Sequence, residues 1–208
     1  MPDYSDEVPF GETKLGFVDC WDDAQEFMRW LGERKPDNLI AFDTETSGIN
    51  PRDPGARIRL AQFGSVNEGW TLDYQKWPGL VREVLERYDG KIAMHNAKFD
   101  MSWMAIHNPG MIMPWSKVHD TMIQARLYDN EASAALKQLG VKHFGKEAAI
   151  GQKMLEEGMS TNNWTWDTVP LDFAPYSQYA ALDTVLTARM HRRFHEVHSG
   201  AFRQAYEL

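Results

Sequence analysis

The chain has 208 residues, of which 43% are hydrophobic and 25% charged, as is typical of a globular protein, and we predict one domain over residues 1–208. A formal net charge of −8 argues against a large phosphate-tracking surface, and the single cysteine, Cys20, excludes an internal disulfide and a cysteine-based metal cluster. No apolar run is long enough to cross a membrane and the start Met1–Glu7 is acidic, unlike a signal peptide, so we expect a cytosolic protein without a membrane partner.

The first half of the chain predicts five strands and three helices. In chain order we predict a strand at Lys14–Val18, a helix at Asp22–Glu33, strands at Asn38–Glu45, Ile58–Phe63 and Gly69–Asp73, a helix at Pro78–Tyr88, a strand at Lys91–His95 and a helix at Ala97–Ile106. The second half predicts helices at Thr121–Tyr128, Ala132–Phe144, Gly151–Glu157 and Pro175–Glu196. This order of elements predicts an α/β protein with a mixed five-stranded sheet flanked by helices.

Two local clusters of basic residues keep nucleic-acid binding open in spite of the net negative charge. The first contains Arg52, Arg57 and Arg59, and the second contains Lys137, Lys142, His143 and Lys146.

Two carboxylates stand two residues apart at the end of the predicted strand Asn38–Glu45. Side chains at positions i and i+2 of a strand point to the same face, roughly 6–7 Å apart, so Asp43 and Glu45 would project together. Two bare carboxylates about 5 Å apart repel by roughly 3 kcal/mol at an effective dielectric of about 20, and Mg²⁺ or Mn²⁺ would relieve that repulsion. The alternative is a pair of solvated charges on a strand-to-loop turn.

Further polar residues fall on or before the predicted helices. Asp100 lies in a first helical turn, where the macrodipole stabilises a carboxylate, and Asn96 is a candidate N-cap before it. A spacing of four puts Tyr179 and Asp183 on one face of the last helix, which carries apolar residues. A buried acid is costly unless it is paired or metal-bound, which favours a functional role for Asp183. Asp120 precedes a helix, and its position favours capping over metal binding.

Together these segments resemble the DEDD, or DnaQ-like, superfamily of 3′–5′ exonucleases, and especially the proofreading exonuclease domain of family A (polymerase I-type) DNA polymerases. The three superfamily motifs match Phe42–Thr46, His95–Asp100 and Tyr179–Asp183. His119–Met122 and Leu136–Leu139 resemble further landmarks of the family. The resemblance implies a ribonuclease H-like fold.

The third motif separates two branches of this superfamily. One branch has a histidine five residues before the last aspartate, and the other has a tyrosine four residues before it. Here Gln178 stands at the first position and Tyr179 at the second. The chain therefore resembles the tyrosine branch, which includes polymerase I exonucleases and ribonuclease D-like enzymes.

The resemblance implies hydrolysis of the terminal phosphodiester with two divalent ions, Mg²⁺ or Mn²⁺. Asp43 would bridge both ions, Glu45 and Asp183 would complete one site, and Asp100 would hold the second ion, largely through water. Tyr179 would orient the attacking water through its hydroxyl group.

The resemblance also suggests a substrate and a biological context. Thr46, Ile49 and Asn96 match positions that seat the terminal nucleotides in the family, with Ile49 as a candidate wedge, a type of contact worth about 1–3 kcal/mol per base. The implied substrate is the 3′ end of single-stranded or frayed DNA; a ribonuclease D-like exoribonuclease and an inactive binding module are the alternatives. The family's polymerase domain would begin near Ala205–Leu208. The chain is then either a polymerase fragment or a free-standing nuclease, for example a phage-encoded one.

Overall fold

The computed structural model describes residues 4–34 and 39–197. The strands are β1 (Lys14–Val18), β2 (Ile40–Thr46), β3 (Ile58–Gly64), β4 (Glu68–Asp73), β5 (Ile92–Met94) and β6 (Val118–Asp120). The α-helices are α1 (Trp21–Gly32), α2 (Pro78–Arg87), α3 (Ala97–His107), α4 (Thr121–Tyr128), α5 (Leu136–Phe144), α6 (Ile150–Asn162) and α7 (Ala174–Val197). None of the helices in these two ranges combines the length and the apolar character needed to cross a bilayer.

The strands form one mixed sheet in the order β1-β4-β3-β2-β5-β6. The three central strands β4, β3 and β2 are antiparallel neighbours, whereas β1 runs parallel to β4, and β5 runs parallel to both β2 and β6. The α/β prediction is therefore confirmed, with six strands instead of five. The strand that sequence analysis missed, β6, has only three residues and no apolar run that would predict it.

Other boundaries differ from the prediction in ways that local chemistry explains. The helix predicted from Ala132 begins at Leu136, because the Asp129 carboxylate accepts hydrogen bonds from the backbone N–H groups of Glu131 and Ala132 and holds a turn there. The helix predicted to end at Glu157 continues to Asn162. The predicted start of β2 at Asn38, the segment Met1–Asp3 and the segment Ala205–Leu208 lie outside the described residues.

An aromatic core fills one face of the sheet. Phe42 on β2 and Phe63 on β3 are directly paired, and their ring centroids are 5.0 Å apart. Phe27 of α1 contacts both Phe63 and Trp70, at 5.5 and 5.9 Å between ring centroids. This packing fixes the side-chain alternation of β2, since a slip of one residue would bring Phe42 to the other face.

The long helix α7 crosses the opposite face of the sheet, and two glycines let it approach closely. A Cβ atom on Gly69 would lie 2.5 Å from the carbonyl oxygen of Ala181, and one on Gly64 would lie 2.3 Å from Oγ1 of Thr184. These distances are too short for any larger residue to fit without a shift. The close contacts at Gly64 and Gly69 therefore fix the distance between the sheet and the part of α7 that carries Asp183.

Candidate active site

The end of β2 directs two carboxylates toward α7. Ala41 packs against Ala188 of α7, and the alternation of the strand places Asp43 and Glu45 on the same face as Ala41. The pairing of β2 with β3 shifts register between Glu45 and Thr46. Such an irregularity bends a strand and re-aims the side chains beside it.

Three carboxylates converge in front of α7. Asp43, Glu45 and Asp183 each offer one oxygen atom, and these three atoms lie within 4.8 Å of one another. Asp183 is buried and the other two are half-buried. A set of hard oxygen donors at this spacing has the chemistry that Mg²⁺ and Mn²⁺ prefer, so the residues fit a divalent ion.

Asp100 lies beside this cluster but is not part of the three-oxygen group. It is only 1% exposed, and its Oδ1 accepts hydrogen bonds from the backbone N–H of Thr44, at 2.9 Å, and from the Thr44 hydroxyl, at 2.7 Å. The pKa of Asp100 is raised well above its usual value by burial and by the charge of Asp43, although the bonds from Thr44 oppose the shift. The structure thus anchors Asp100 to the residue between the two β2 carboxylates.

Burial dominates the electrostatics of the cluster. It raises the pKa of Asp43 to about 6, although the Lys137 ammonium and a backbone hydrogen bond from Thr44 lower it in part. The pKa of Glu45 is raised well above its usual value, first by burial and then by the charge of Asp43. Crowded, poorly solvated carboxylates of this kind favour a bound cation or a proton.

The ammonium group of Lys137 reaches into the cluster from α5. It forms an ion pair with Oδ1 of Asp183 and lies 4.3 Å from the centroid of the Tyr179 ring. Burial lowers the pKa of Lys137 to about 8, although Glu45 and Asp43 oppose that shift. Sequence analysis placed Lys137 in a basic cluster and in a family landmark but not in the site. Its position between Leu136 and Leu139, on a helix with inward-facing apolar residues, was the sequence signal that could have placed Lys137 in the site.

Tyr179 lies next to the acidic residues, one helical turn before Asp183. Burial raises its pKa, and the charges of Glu45 and Asp43 raise it further. Its ring is 6.0 Å from that of Trp166. The face of α7 predicted to be buried is confirmed, since Tyr176 and Ala180 have no exposed surface.

A cavity of about 400 Å³ opens beside Glu45 and Tyr179. Its lining residues come from the end of β2 and the segment after it, from α3, from the loop before α7 and from α7 itself: Thr44, Glu45, Thr46, Ser47, Gly48, Ile49, Phe99, Thr165, Trp166, Asp167 and Tyr179. Ile49 is 88% exposed at its rim. The Thr46 hydroxyl donates a hydrogen bond to the carbonyl oxygen of Gly48, at 2.6 Å, and so helps to shape the turn below Ile49. Sequence analysis did not anticipate Phe99 or Trp166 as wall residues.

Two arginines of the first basic cluster hold the wall of this cavity. The Arg57 guanidinium pairs with the Asp167 carboxylate at 2.6 Å. Arg59 is buried and donates to the carbonyl oxygens of Trp166 and Val169. These side chains are therefore occupied in fixing the loop that carries Trp166.

The junction before α3 is organised by Asp120, as its predicted capping role requires. The Asp120 carboxylate accepts from the backbone N–H groups of Met122 and Ile123 at the start of α4. It also accepts from the N–H groups of Asn96 and Ala97 at the start of α3. Asn96 occupies the predicted N-cap position, with a left-handed φ of 67°, but its side chain makes no capping hydrogen bond. Asn96 does not line the cavity described above.

Comparison with known proteins gives a consistent result. A family model described as 3′-5′ exonuclease matches residues 17–198. The chain is 34% identical over 199 residues to the DNA polymerase of Mycobacterium phage D29, covering 88% of this chain and 32% of that protein. It is 27% identical over 198 residues to the DNA polymerase of Mycobacterium phage L5, covering 88% of this chain and 33% of that protein. The chain therefore spans about a third of the length of these relatives.

Solved structures with a similar fold include several nucleases. Brucella melitensis NrnC with bound Mg²⁺ aligns with a TM-score of 0.64 at 19% identity, covering 94% of this chain and 86% of that one. The catalytic core of RRP6 from Trypanosoma brucei aligns with a TM-score of 0.67 at 18% identity, covering 97% of this chain and 53% of that one. The predicted ribonuclease H-like fold is thus confirmed.

Proposed function

Because this chain belongs to the 3′–5′ exonuclease family, as its resemblance predicted, we propose that it releases 5′-mononucleotides from the 3′ end of single-stranded or frayed DNA. The observation that carries the proposal is the convergence of Asp43, Glu45 and Asp183, whose oxygen atoms lie within 4.8 Å of one another. Such a cluster has the donor set for divalent ions. Family membership supplies the reaction class, hydrolysis of a phosphodiester.

Two divalent ions, Mg²⁺ or Mn²⁺, complete the proposed site. Asp43 would serve both ions, Glu45 and Asp183 would hold one of them, and Asp100 would hold the other. Ions bound there would polarise the attacking water and stabilise the charge that develops on the leaving oxygen. Thr44 keeps Asp100 in place by its two hydrogen bonds, so the second position is supported by β2 itself.

The remaining proposed roles belong to residues around the cavity. The Tyr179 hydroxyl orients the attacking water, and the place of Tyr179 beside Glu45 in the lining of the same cavity supports this role. The terminal nucleotide occupies the cavity of about 400 Å³, with Ile49 as the wedge and Trp166 as a stacking surface. Thr46 shapes the turn that presents Ile49. Asn96, which is not among the residues that line this cavity, is proposed to help seat the terminal nucleotides.

The choice of DNA rests on sequence relationship. The relative that is 34% identical is a phage DNA polymerase, which favours a proofreading role with a polymerase as partner, or a free-standing nuclease derived from one and acting in the bacterial cytoplasm. The alternative is an exoribonuclease, because a similar fold is found in Trypanosoma brucei RNase D in complex with GMP, with a TM-score of 0.63 at 19% identity. The proposed acidic cluster serves either substrate.

Parallel digestion of 5′-labelled DNA and RNA oligonucleotides of one sequence tests the proposal. We expect Mg²⁺- or Mn²⁺-dependent shortening from the 3′ end, with DNA cut faster than RNA. Faster cutting of RNA would favour the exoribonuclease, and no metal-dependent cutting of either strand would overturn both.

The control is Asp43→Ala, which removes the proposed bridging ligand and should abolish shortening while circular dichroism stays unchanged. Retention of more than about a few per cent of activity by folded Asp43→Ala would contradict the two-ion assignment.

A further inference from the structure

Lys137 is the feature of the site that the proposed reaction does not use. Its side chain is 19% exposed and that of Asp183 is 7% exposed, so both charges of this ion pair are largely removed from water. Within the two described ranges, no other ion pair involves Asp43, Glu45, Asp100 or Asp183. Leaving either charge unpaired at such burial would be strongly destabilising.

The surroundings of Lys137 favour a cation at this place. Asp183 contributes one of the three converging oxygens, and the face of the Tyr179 ring lies 4.3 Å from the Lys137 nitrogen, within the range of a cation–π contact. An ammonium group donates hydrogen bonds as a compact point charge, much as a small metal ion accepts electron pairs from the same oxygens. The position that attracts the ammonium is thus one that a divalent ion would also occupy.

We propose that the Lys137 ammonium stands in for a divalent ion in the metal-free site and competes with that ion for Asp183. This inference rests on the proposed function for its metal assignment. Both cations need the same buried carboxylate, and two positive charges in contact there would repel each other. The flexible four-carbon stem of Lys137 lets the ammonium withdraw when the ion enters. Lys137 is therefore a positioning residue that keeps the carboxylates together before the metal binds and sets the metal affinity.

A matched control lies on the same helix. Lys142 on α5 also pairs with an aspartate, with its Nζ 3.5 Å from Oδ2 of Asp129, but this pair is solvent-exposed and away from the acidic cluster. Lys142→Met removes the same charge from the same element without touching Asp183. Lys137→Met removes the competing cation and keeps a chain of similar length.

The experiment measures Mn²⁺ binding without nucleic acid, by titration with Mn²⁺ and detection of the free ion by electron paramagnetic resonance. We expect Lys137→Met to bind its first Mn²⁺ about tenfold more tightly than the parent, because the competitor is gone. Lys142→Met should stay within about twofold of the parent, the small effect expected of an exposed pair. Lys137→Arg, which keeps the charge, should restore affinity toward that of the parent.

Unchanged or weaker Mn²⁺ binding by folded Lys137→Met would overturn the inference, because a purely structural lysine would have that effect. Lys137→Gln, which is polar and uncharged, provides the same test if the methionine variant does not fold. The Mn²⁺ affinity is measured independently of cleavage. A parent that binds Mn²⁺ but cuts no strand would refute the proposed function and leave the proposed competition between Lys137 and the ion intact. A parent that binds no Mn²⁺ would refute the metal assignment and the inference together.

Discussion

Charged and phenolic side chains are crowded together near the end of β2, and their poor solvation governs the chemistry available to each of them. Asp43 and Glu45 have raised pKa values while that of Lys137 is lowered, so every one of these groups is shifted toward its neutral form. Only mutual pairing or a bound cation keeps such groups ionised. The ionised carboxylates are therefore destabilised in this site, and a bound divalent ion would stabilise them.

Tyr179→Phe should lower the turnover number with little change in metal affinity. The ring would remain packed near Trp166, while the hydroxyl proposed to position water would be lost. A positioning hydrogen bond stabilises the transition state more than the ground state, and its loss costs about 1.5–3 kcal/mol, or roughly 10–150-fold in rate. Single-turnover cleavage and Mn²⁺ titration would check both parts. A mutant that cuts as fast as the parent would make Tyr179 a packing residue only.

The affinity for Mn²⁺ should fall as the pH is lowered from about 7.5 to about 5.5. The ion requires ionised carboxylates, and burial raises the pKa of Asp43 to about 6 and that of Glu45 well above its usual value, so protons compete with the metal in this window. Calorimetry in buffers of different ionisation enthalpy would measure the protons released on binding. An affinity that does not change with pH over that window would contradict the raised pKa values.

At the level of helices and strands, the junctions β5–α3 and β6–α4 share one carboxylate. Asp120 accepts hydrogen bonds from the first backbone N–H groups of both helices, and so ties together segments that are distant in sequence. Sequence analysis predicted the α4 cap from the position of Asp120 before a helical run. It could not predict the α3 cap, because that contact depends on the pairing of β5 with β6.

Asp120→Ala should destabilise the protein by about 1–4 kcal/mol, since each lost cap costs about 0.5–2 kcal/mol. Urea denaturation would measure the change in the free energy of unfolding. Asp129→Ala is a suitable comparison, because the Asp129 carboxylate also accepts two backbone hydrogen bonds but caps no helix, and its only ion pair among the described residues, with Lys142, is solvent-exposed. A loss for Asp120→Ala no larger than that for Asp129→Ala would show that the double cap contributes little.

The strands with a regular pattern were predictable, and contacts between distant segments were not. Side-chain alternation identified β2 and the orientation of Asp43 and Glu45, because the period of a strand is fixed by its geometry. The role of Arg59 in holding the loop of Trp166 depends on the fold, which brings β3 beside residues more than one hundred positions later. The same holds for Lys137, whose partner Asp183 lies on another helix. Local patterns contain no information about such pairs.

Considered as a whole, the molecule builds its acidic cluster from segments that are far apart in the sequence. Asp43 and Glu45 come from β2 and Asp183 from α7, and the glycines at positions 64 and 69 let α7 sit close to the sheet. The cluster therefore exists only in the folded state. A ligand that binds this cluster must stabilise the fold, because the unfolded chain separates the carboxylates.

Mn²⁺ or Mg²⁺ should raise the melting temperature of the parent. At a concentration about 100 times the dissociation constant, the stabilisation is about 2.7 kcal/mol, or roughly 5–10 °C for a domain of this size. Asp183→Asn should reduce the shift, because one of the three converging ligands loses its charge. Differential scanning fluorimetry with and without chelator would measure this. An unchanged melting temperature at about 10 mM Mn²⁺ would show that the folded state has no preformed site.

The dependence on α7 also has a consequence for synthesis on the ribosome. Asp43, Glu45 and Asp100 emerge early, but Tyr179 and Asp183 belong to the last described helix, whose contacts span β2, β3 and β4. A nascent chain that lacks α7 has neither the third oxygen of the cluster nor the phenol beside it. The proposed nuclease would therefore stay inactive until α7 has left the exit tunnel and docked on the sheet.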